Sequence, residues 1–160
     1  MVNPIFKMEN SEIKKSISDK KGSYCLVFHL EKSKNVAIGK LGTFYFPKGY
    51  YYYFGSAKGS GGLQARINRH VSMEKKKFWH IDYLRADLIF IAAVYSIEIN
   101  KECEWGQKIE RKFSFDVPVN GFGSSDCLSS CKTHLLHSNM LVDLNEFCES
   151  LGTNNLEFIS

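Results

Sequence analysis

Positive charge is unevenly spread along this chain, and its densest stretch is where phosphate chemistry would begin. Between Leu63 and Arg85 stand Arg66, Arg69, His70, Lys75, Lys76, Lys77, His80 and Arg85, against only Glu74 and Asp82. Such a cluster can hold phosphate oxygens, although a solvated lysine-rich turn would carry the same charge with no ligand at all. Trp79-His80-Ile81-Asp82-Tyr83 sets an imidazole close to a carboxylate, suited either to orienting a substrate or to a structural network. Cys127-x-x-x-Cys131-x-x-His134, with or without Cys103, has the ligand types of a zinc site. Its spacing is unusual for a structural zinc, and buried thiols of the sort cores accept explain it more simply.

One carboxylate is singled out by helical phase. Lys101–Phe113 reads as a helix, and about 100° per residue puts Glu102, Trp105, Gly106, Ile109 and Phe113 on one face with Glu104 roughly opposite. A carboxylate on an apolar stripe is costly unless paired, so Glu102 calls for a metal ion or for Arg66 as its partner. The plainer alternative is a first-turn acidic residue favoured by the helix dipole.

The elements that would position these groups follow from pattern. Residues 1–21 are polar and read as an appendage or a single surface helix. The domain proper starts at Gly22, with Tyr24–Leu30 as a well-buried strand. Glu31–Asn35 is a turn, Val36–Leu41 a second strand that would form a hairpin with the first, and Tyr50–Phe54 an aromatic strand, giving an antiparallel meander. In the run Tyr50–Tyr53, Tyr51 and Tyr53 share one face. After the Gly- and Ser-rich loop 56–62 come a helix over Leu63–His70, a helical turn at His80–Leu84 and an apolar strand over Leu88–Ile99. Phe115–Asp126 reads as loop with at most one short strand, and Leu141–Leu151 as a helix followed by a frayed end. The order β-β-β-α-β-α predicts an α+β fold, a small antiparallel sheet flanked by helices. The divisions are 1–21, 22–137 and a C-terminal helix and tail at 138–160.

The bulk properties narrow the class. A chain of 160 residues can bury roughly two-thirds of its unfolded surface around one core. Hydrophobic content of 44% and charged content of 24% argue against disorder and coiled coil. No apolar run has the length of a membrane span, and the N-terminus lacks the pattern of a signal peptide. Five irregularly spaced cysteines suit a reducing compartment, so a cytoplasmic location is expected. The net charge of +4 is too modest to imply nucleic acid by itself.

A resemblance makes the reading specific. Gly22-Ser23-Tyr24 and Tyr53-Phe54-Gly55 resemble the two name-giving triplets of the GIY-YIG nucleases. Leu63-x-x-Arg66 resembles that superfamily's arginine segment, and His70 stands where those enzymes carry a second Tyr or His. One branch is closer still. Gly49-Tyr50, Tyr53-Phe54-Gly55-Ser56-Ala57, Arg66-x-x-Arg69-His70, Trp79-His80-Ile81-Asp82-Tyr83-Leu84, Glu102-Cys103 and Gly121-Phe122-Gly123-Ser124-Ser125-Asp126-Cys127 together resemble the domain-of-unknown-function family numbered 123, over about residues 22–137.

The resemblance implies an endonuclease of DNA repair or processing, with Tyr24, Tyr53, Arg66, His70 and Glu102 as its catalytic residues. The chemistry suits these types. A phenol or imidazole can take the proton of an attacking water, and a guanidinium fork can balance the charge that builds on phosphoryl oxygens. A single Mg²⁺ or Mn²⁺ on Glu102 would keep most of its waters. In the related branch the cysteines sit closer together, which argues against zinc here. The expected partner is nucleic acid, DNA rather than RNA, held through Arg69, Lys75, Lys76, Lys77 and His80. The alternative is a catalytically silent nucleic-acid-binding domain on the same fold. Packing by the tyrosines and helix capping by His70 are the structural alternatives at those positions.

Overall fold

The computed structural model describes residues 17–124, 127 and 131–158. The expected appendage or helix within 1–21 therefore lies outside the described residues as far as position 16, as do Ser125 and Asp126 of the glycine-rich motif.

Strand β1 (Gly22–Leu30) is the centre of the architecture. It pairs antiparallel with β4 (Gly49–Ala57) on one side and β5 (Ile89–Ser96) on the other. Strand β6 (Leu135–Ser138) extends the sheet beyond β4, and β7 (Asn155–Phe158) extends it beyond β5. The order is β6-β4-β1-β5-β7, and the fold is α+β. β1 reads as an unbroken apolar run because both of its faces are covered.

Period-two alternation divides the side chains between two cores. Tyr24, Leu26, Phe28, Tyr51 and Tyr53 point to one face, where they meet Leu63, Ile67 and Val71 of helix α1 (Gly62–Val71) and Ile81 and Leu84 of α2 (His80–Leu84). Cys25, Val27, Tyr52 and Phe54 point to the other. There they meet Trp105 and Ile109 of α3 (Glu102–Phe113) and Phe147 and Leu151 of α4 (Leu144–Leu151).

The meander expected from the sequence does not form. Strand β2 (Lys34–Ile38) pairs with β3 (Gly42–Phe46) in a separate two-stranded sheet, and β4 takes the place beside β1. Burial explains the choice. β2 buries only Ile38 and β3 only Phe46. β4 carries aromatic residues that pack on both faces, as a neighbour of the doubly covered β1 must. The frayed tail expected after Leu151 is likewise ordered into β7, which covers the outer edge of β5; Thr153 Oγ1 donates to the Tyr95 carbonyl at 2.7 Å on the way.

Helix α1 carries the arginine segment, and neighbouring chain holds both of its ends. Its start has no side-chain cap. Instead Leu63 N–H donates to the Lys20 carbonyl and Gln64 N–H to the Ser18 carbonyl, each at 2.9 Å, which satisfies donors the helix leaves open. Segment 18–20 passes so close that a Cβ on Gly62 would collide with the Asp19 and Lys20 carbonyls, and Gly62 has φ +59°, a conformation glycine adopts freely. At the other end, Arg85 donates to the carbonyls of His70 at 3.0 Å and Val71 at 2.8 Å. Arg85 is 5% exposed, so it closes the helix and belongs to the core.

Candidate active site

A cavity of about 550 Å³ opens where β1, β4, α1 and the start of α3 converge. Tyr24, Tyr53, Arg66 and Glu102, brought from four elements, all line it. His70 stands behind them at 1% exposure, its Nε2 2.9 Å from the Tyr24 hydroxyl and its ring edge-on to Tyr53 at 5.5 Å. All five residues named by the sequence reading therefore meet in one place.

The phenol of Tyr24 is buried, and that burial pushes its pKa well above the ordinary value; the charge of Tyr53 and Glu102 acts the same way, while the Arg66 guanidinium acts against it. Burial, together with the Lys75 ammonium, pulls His70 down to about 3, so the imidazole is neutral near pH 7. Among the described residues His70 Nδ1 has no hydrogen-bond partner. A buried ring N–H without an acceptor costs more than a lone pair without a donor, which places the proton on Nε2. Tyr24 Oη then accepts from His70 and keeps its own O–H for the cavity.

The two glutamates separate as helical phase requires. Glu102 is half-buried on the cavity wall and accepts a hydrogen bond from Ser56 Oγ. Glu104 is exposed and pairs with Lys101 at 3.2 Å. The turn before α3 is set by Ser23, which is fully buried; its Oγ donates to the Glu98 carbonyl at 2.8 Å and accepts from Lys101 N–H at 2.9 Å. The middle residue of the first triplet thus aims the helix that carries Glu102. Arg66 lies over the Trp79 ring at 4.7 Å, a stacked cation that keeps its fork available at the cavity.

The basic segment divides into engaged and exposed cations. Asp82 is buried and accepts from Arg69 at 3.0 and 3.3 Å and from the N–H groups of Phe78 and Trp79 at 2.8 and 2.9 Å. Burial alone would push this carboxyl up, but Arg69 and the two backbone donors outweigh it and bring it down to about 2. Lys75 is equally committed. Its ammonium donates to the carbonyls of Arg69 at 2.7 Å and His70 at 2.9 Å and lies 3.4 Å from Asp82. Arg69 and Lys75, read from sequence as phosphate contacts, both pair with Asp82; the Lys75 side chain is 9% exposed, whereas that of Arg69 keeps 33% of its surface open to solvent. Lys76 and Lys77 are exposed. His80 Nδ1 accepts from Gly123 N–H at 2.8 Å and so fixes the glycine-rich loop that forms another part of the wall.

Ser56, Lys58 and Trp79 also line the cavity. Sequence reasoning quoted Ser56 and Trp79 within the family motifs without giving them a site role and did not single out Lys58, which stands one residue beyond the Tyr53–Ala57 motif.

Beside the cavity four metal-ligating side chains converge. The ligand atoms of Cys103, Cys127, Cys131 and His134 all lie within 4.8 Å of one another. Cys103 Sγ is 3.1 Å from Cys127 Sγ and 3.4 Å from His134 Nε2. This group could hold a metal ion, and its sulfur-rich donors suit zinc better than magnesium. The spacing that seemed wrong along the sequence becomes a four-ligand set once α3 delivers Cys103.

An α+β domain whose cleft gathers a phenol, a guanidinium and a carboxylate is the class that fold and site define. The family described as Domain of unknown function DUF123 matches residues 23–156, and the chain belongs to that family. No curated protein and no solved structure gives a match. Among the described residues no helix is long and apolar enough to cross a membrane.

Proposed function

We propose that this protein is a GIY-YIG-type endonuclease that hydrolyses phosphodiester bonds of nucleic acid, DNA before RNA. The observation that carries the reading is the meeting of Tyr24, Arg66 and Glu102 on one open cavity, at the positions the nuclease resemblance requires.

The residues divide the work in a way their surroundings support. Tyr24 first releases its own O–H proton to solvent in the cavity; the tyrosinate, held by the N–H of His70 Nε2 and by Arg66, then takes the proton of the attacking water and returns to the phenol. Arg66, oriented by Trp79, forms the fork that receives the non-bridging phosphoryl oxygens. Lys58 adds a cation at the rim, and Lys76 and Lys77 add backbone contacts beyond it. A hard divalent ion fits beside Glu102: the carboxylate faces the cavity, forms no ion pair among the described residues and has a hydroxyl next to it. When bound there, Mg²⁺ or Mn²⁺ would supply charge to the leaving oxygen.

Burial of Tyr24 favours a second reading, because a phenol pushed so far up is a reluctant base. That reading is a domain that binds nucleic acid without cutting it. Incubating the protein with labelled branched, nicked, single-stranded and duplex DNA and with RNA, with and without Mg²⁺ or Mn²⁺, separates the two. Metal-dependent cleavage that Arg66→Lys abolishes supports the hydrolase; binding with no product under any of these conditions supports the silent domain.

A further inference from the structure

We infer that Cys103, Cys127, Cys131 and His134 hold one zinc ion that staples the first turn of α3 to the loop closing the cavity, a centre separate from any hard ion at Glu102. The inference rests on the ligand geometry and stands whether or not the protein cleaves nucleic acid.

Geometry is the first support. Zinc bonds of about 2.3 Å to sulfur and 2.0 Å to nitrogen in a tetrahedron set ligand atoms about 3.5–3.8 Å apart. The observed separations of 3.1 and 3.4 Å, with none beyond 4.8 Å, bracket that edge. Atoms this close leave room for a single ion, whereas a two-iron cluster would hold its ligand pairs further apart.

Donor chemistry is the second. Three thiols and an imidazole are soft and borderline ligands that magnesium and calcium avoid. Gln107 Nε2 lies 3.8 Å from Cys131 Sγ, the kind of N–H contact that steadies a metal-bound thiolate. The backbone of His134 is fixed from both sides, its N–H donating to the Phe122 carbonyl at 2.8 Å and its carbonyl accepting from Phe54 N–H at 2.9 Å. Its imidazole is thus presented by the sheet itself.

Topology gives the consequence. Four protein ligands close the coordination shell, which marks a structural ion with no position left for a substrate. Cys103 follows Glu102 on α3, while His134 is tied through its N–H to the Phe122 carbonyl, in the loop whose Gly123 packs against Tyr53. Joining them fixes two walls of the cavity to each other.

The full-length protein, prepared under reducing conditions and equilibrated with zinc, is analysed for metal content. Replacement by Co²⁺ then reports the ligand set by absorption. One zinc per chain is expected, with intense visible bands of tetrahedral Co²⁺ and thiolate-to-cobalt charge transfer. Cys127→Ser and His134→Ala should weaken zinc binding by at least about 100-fold, since even outer-shell changes cost 10- to 100-fold. Cys148→Ser, outside the cluster, should bind normally. Circular dichroism checks that each variant folds, and if one does not, the cobalt spectrum of the wild-type protein decides. No stoichiometric zinc, a pale octahedral cobalt spectrum, iron in place of zinc, or full binding by a folded Cys127→Ser variant would overturn the inference.

Discussion

The ring of Tyr24 lies across Gly55, its partner in the β1–β4 register: a Cβ built on Gly55 would collide with the phenol hydroxyl and lie 2.5 Å from Cζ. The last residue of the second triplet is glycine so that the last residue of the first can reach His70. Gly55→Ala should therefore push Tyr24 out of its hydrogen bond and destabilise the protein by about 1–3 kcal/mol, the usual cost of overpacking. Gly59→Ala, where an added Cβ meets nothing within 4 Å, should be close to neutral. Urea denaturation of the two variants checks the contrast.

Glu102 and Glu104 stand two residues apart and face different environments, which gives the metal reading a sharp control. Glu102→Gln preserves shape and removes the charge a hard cation needs, so Mn²⁺ affinity at that site and any cleavage should collapse together. Glu104→Gln should be silent. Calorimetric Mn²⁺ titration of zinc-loaded protein measures both, and a Glu102→Gln variant that binds Mn²⁺ normally removes Glu102 from the site.

Three consecutive lysines should behave in two ways. Lys76→Ala and Lys77→Ala remove exposed cations, so each should lower the log–log salt slope of duplex DNA binding by about 0.9 and leave stability nearly unchanged. Lys75→Ala exposes the loss of a buried cap on α1 and should destabilise the fold instead. Salt-dependent binding isotherms beside thermal melts distinguish the outcomes.

Acid should weaken the protein well before its carboxylates titrate. His70 is held near 3 in the folded state against 6.5 for the free side chain. The depressed folded value means that its contribution is complete above pH 6.5 and is lost as pH falls toward 3. Linkage puts the loss at about 2 kcal/mol between about pH 7.5 and 5. Asp82, brought down to about 2 from 3.8, adds a second loss only below about pH 4. Urea midpoints across this range should fall in two stages, and His70→Gln should flatten the upper one while leaving the lower.

Much of the site was legible in one dimension because its signals are local. Alternation at period two placed Tyr51 and Tyr53 on one face, and helical phase told Glu102 from Glu104 without reference to any other element. The triplets ending in Tyr24 and Gly55 marked the strands whose pairing builds the cavity floor. Each of these depends on residues a few positions apart, where backbone geometry alone decides direction.

What stayed hidden was set by contacts between distant segments. The amino-acid pattern of β2 is that of a strand, but only the packed sheet decides that β4, aromatic on both faces, outcompetes it for β1. Lys75 and Lys76 look alike in the sequence; one turns inward because Asp82 and the carbonyls of α1 are there to receive it. Cys103 lies 24 residues from Cys127, and the sequence offers it only as a ligand type; the packing of α3 decides that the two sulfurs stand 3.1 Å apart. The sequence determined which residues could do chemistry and which way each local element presents them. The tertiary structure decided which cations are consumed by neighbours and which ligands converge, because both depend on where non-local packing places each element's partner.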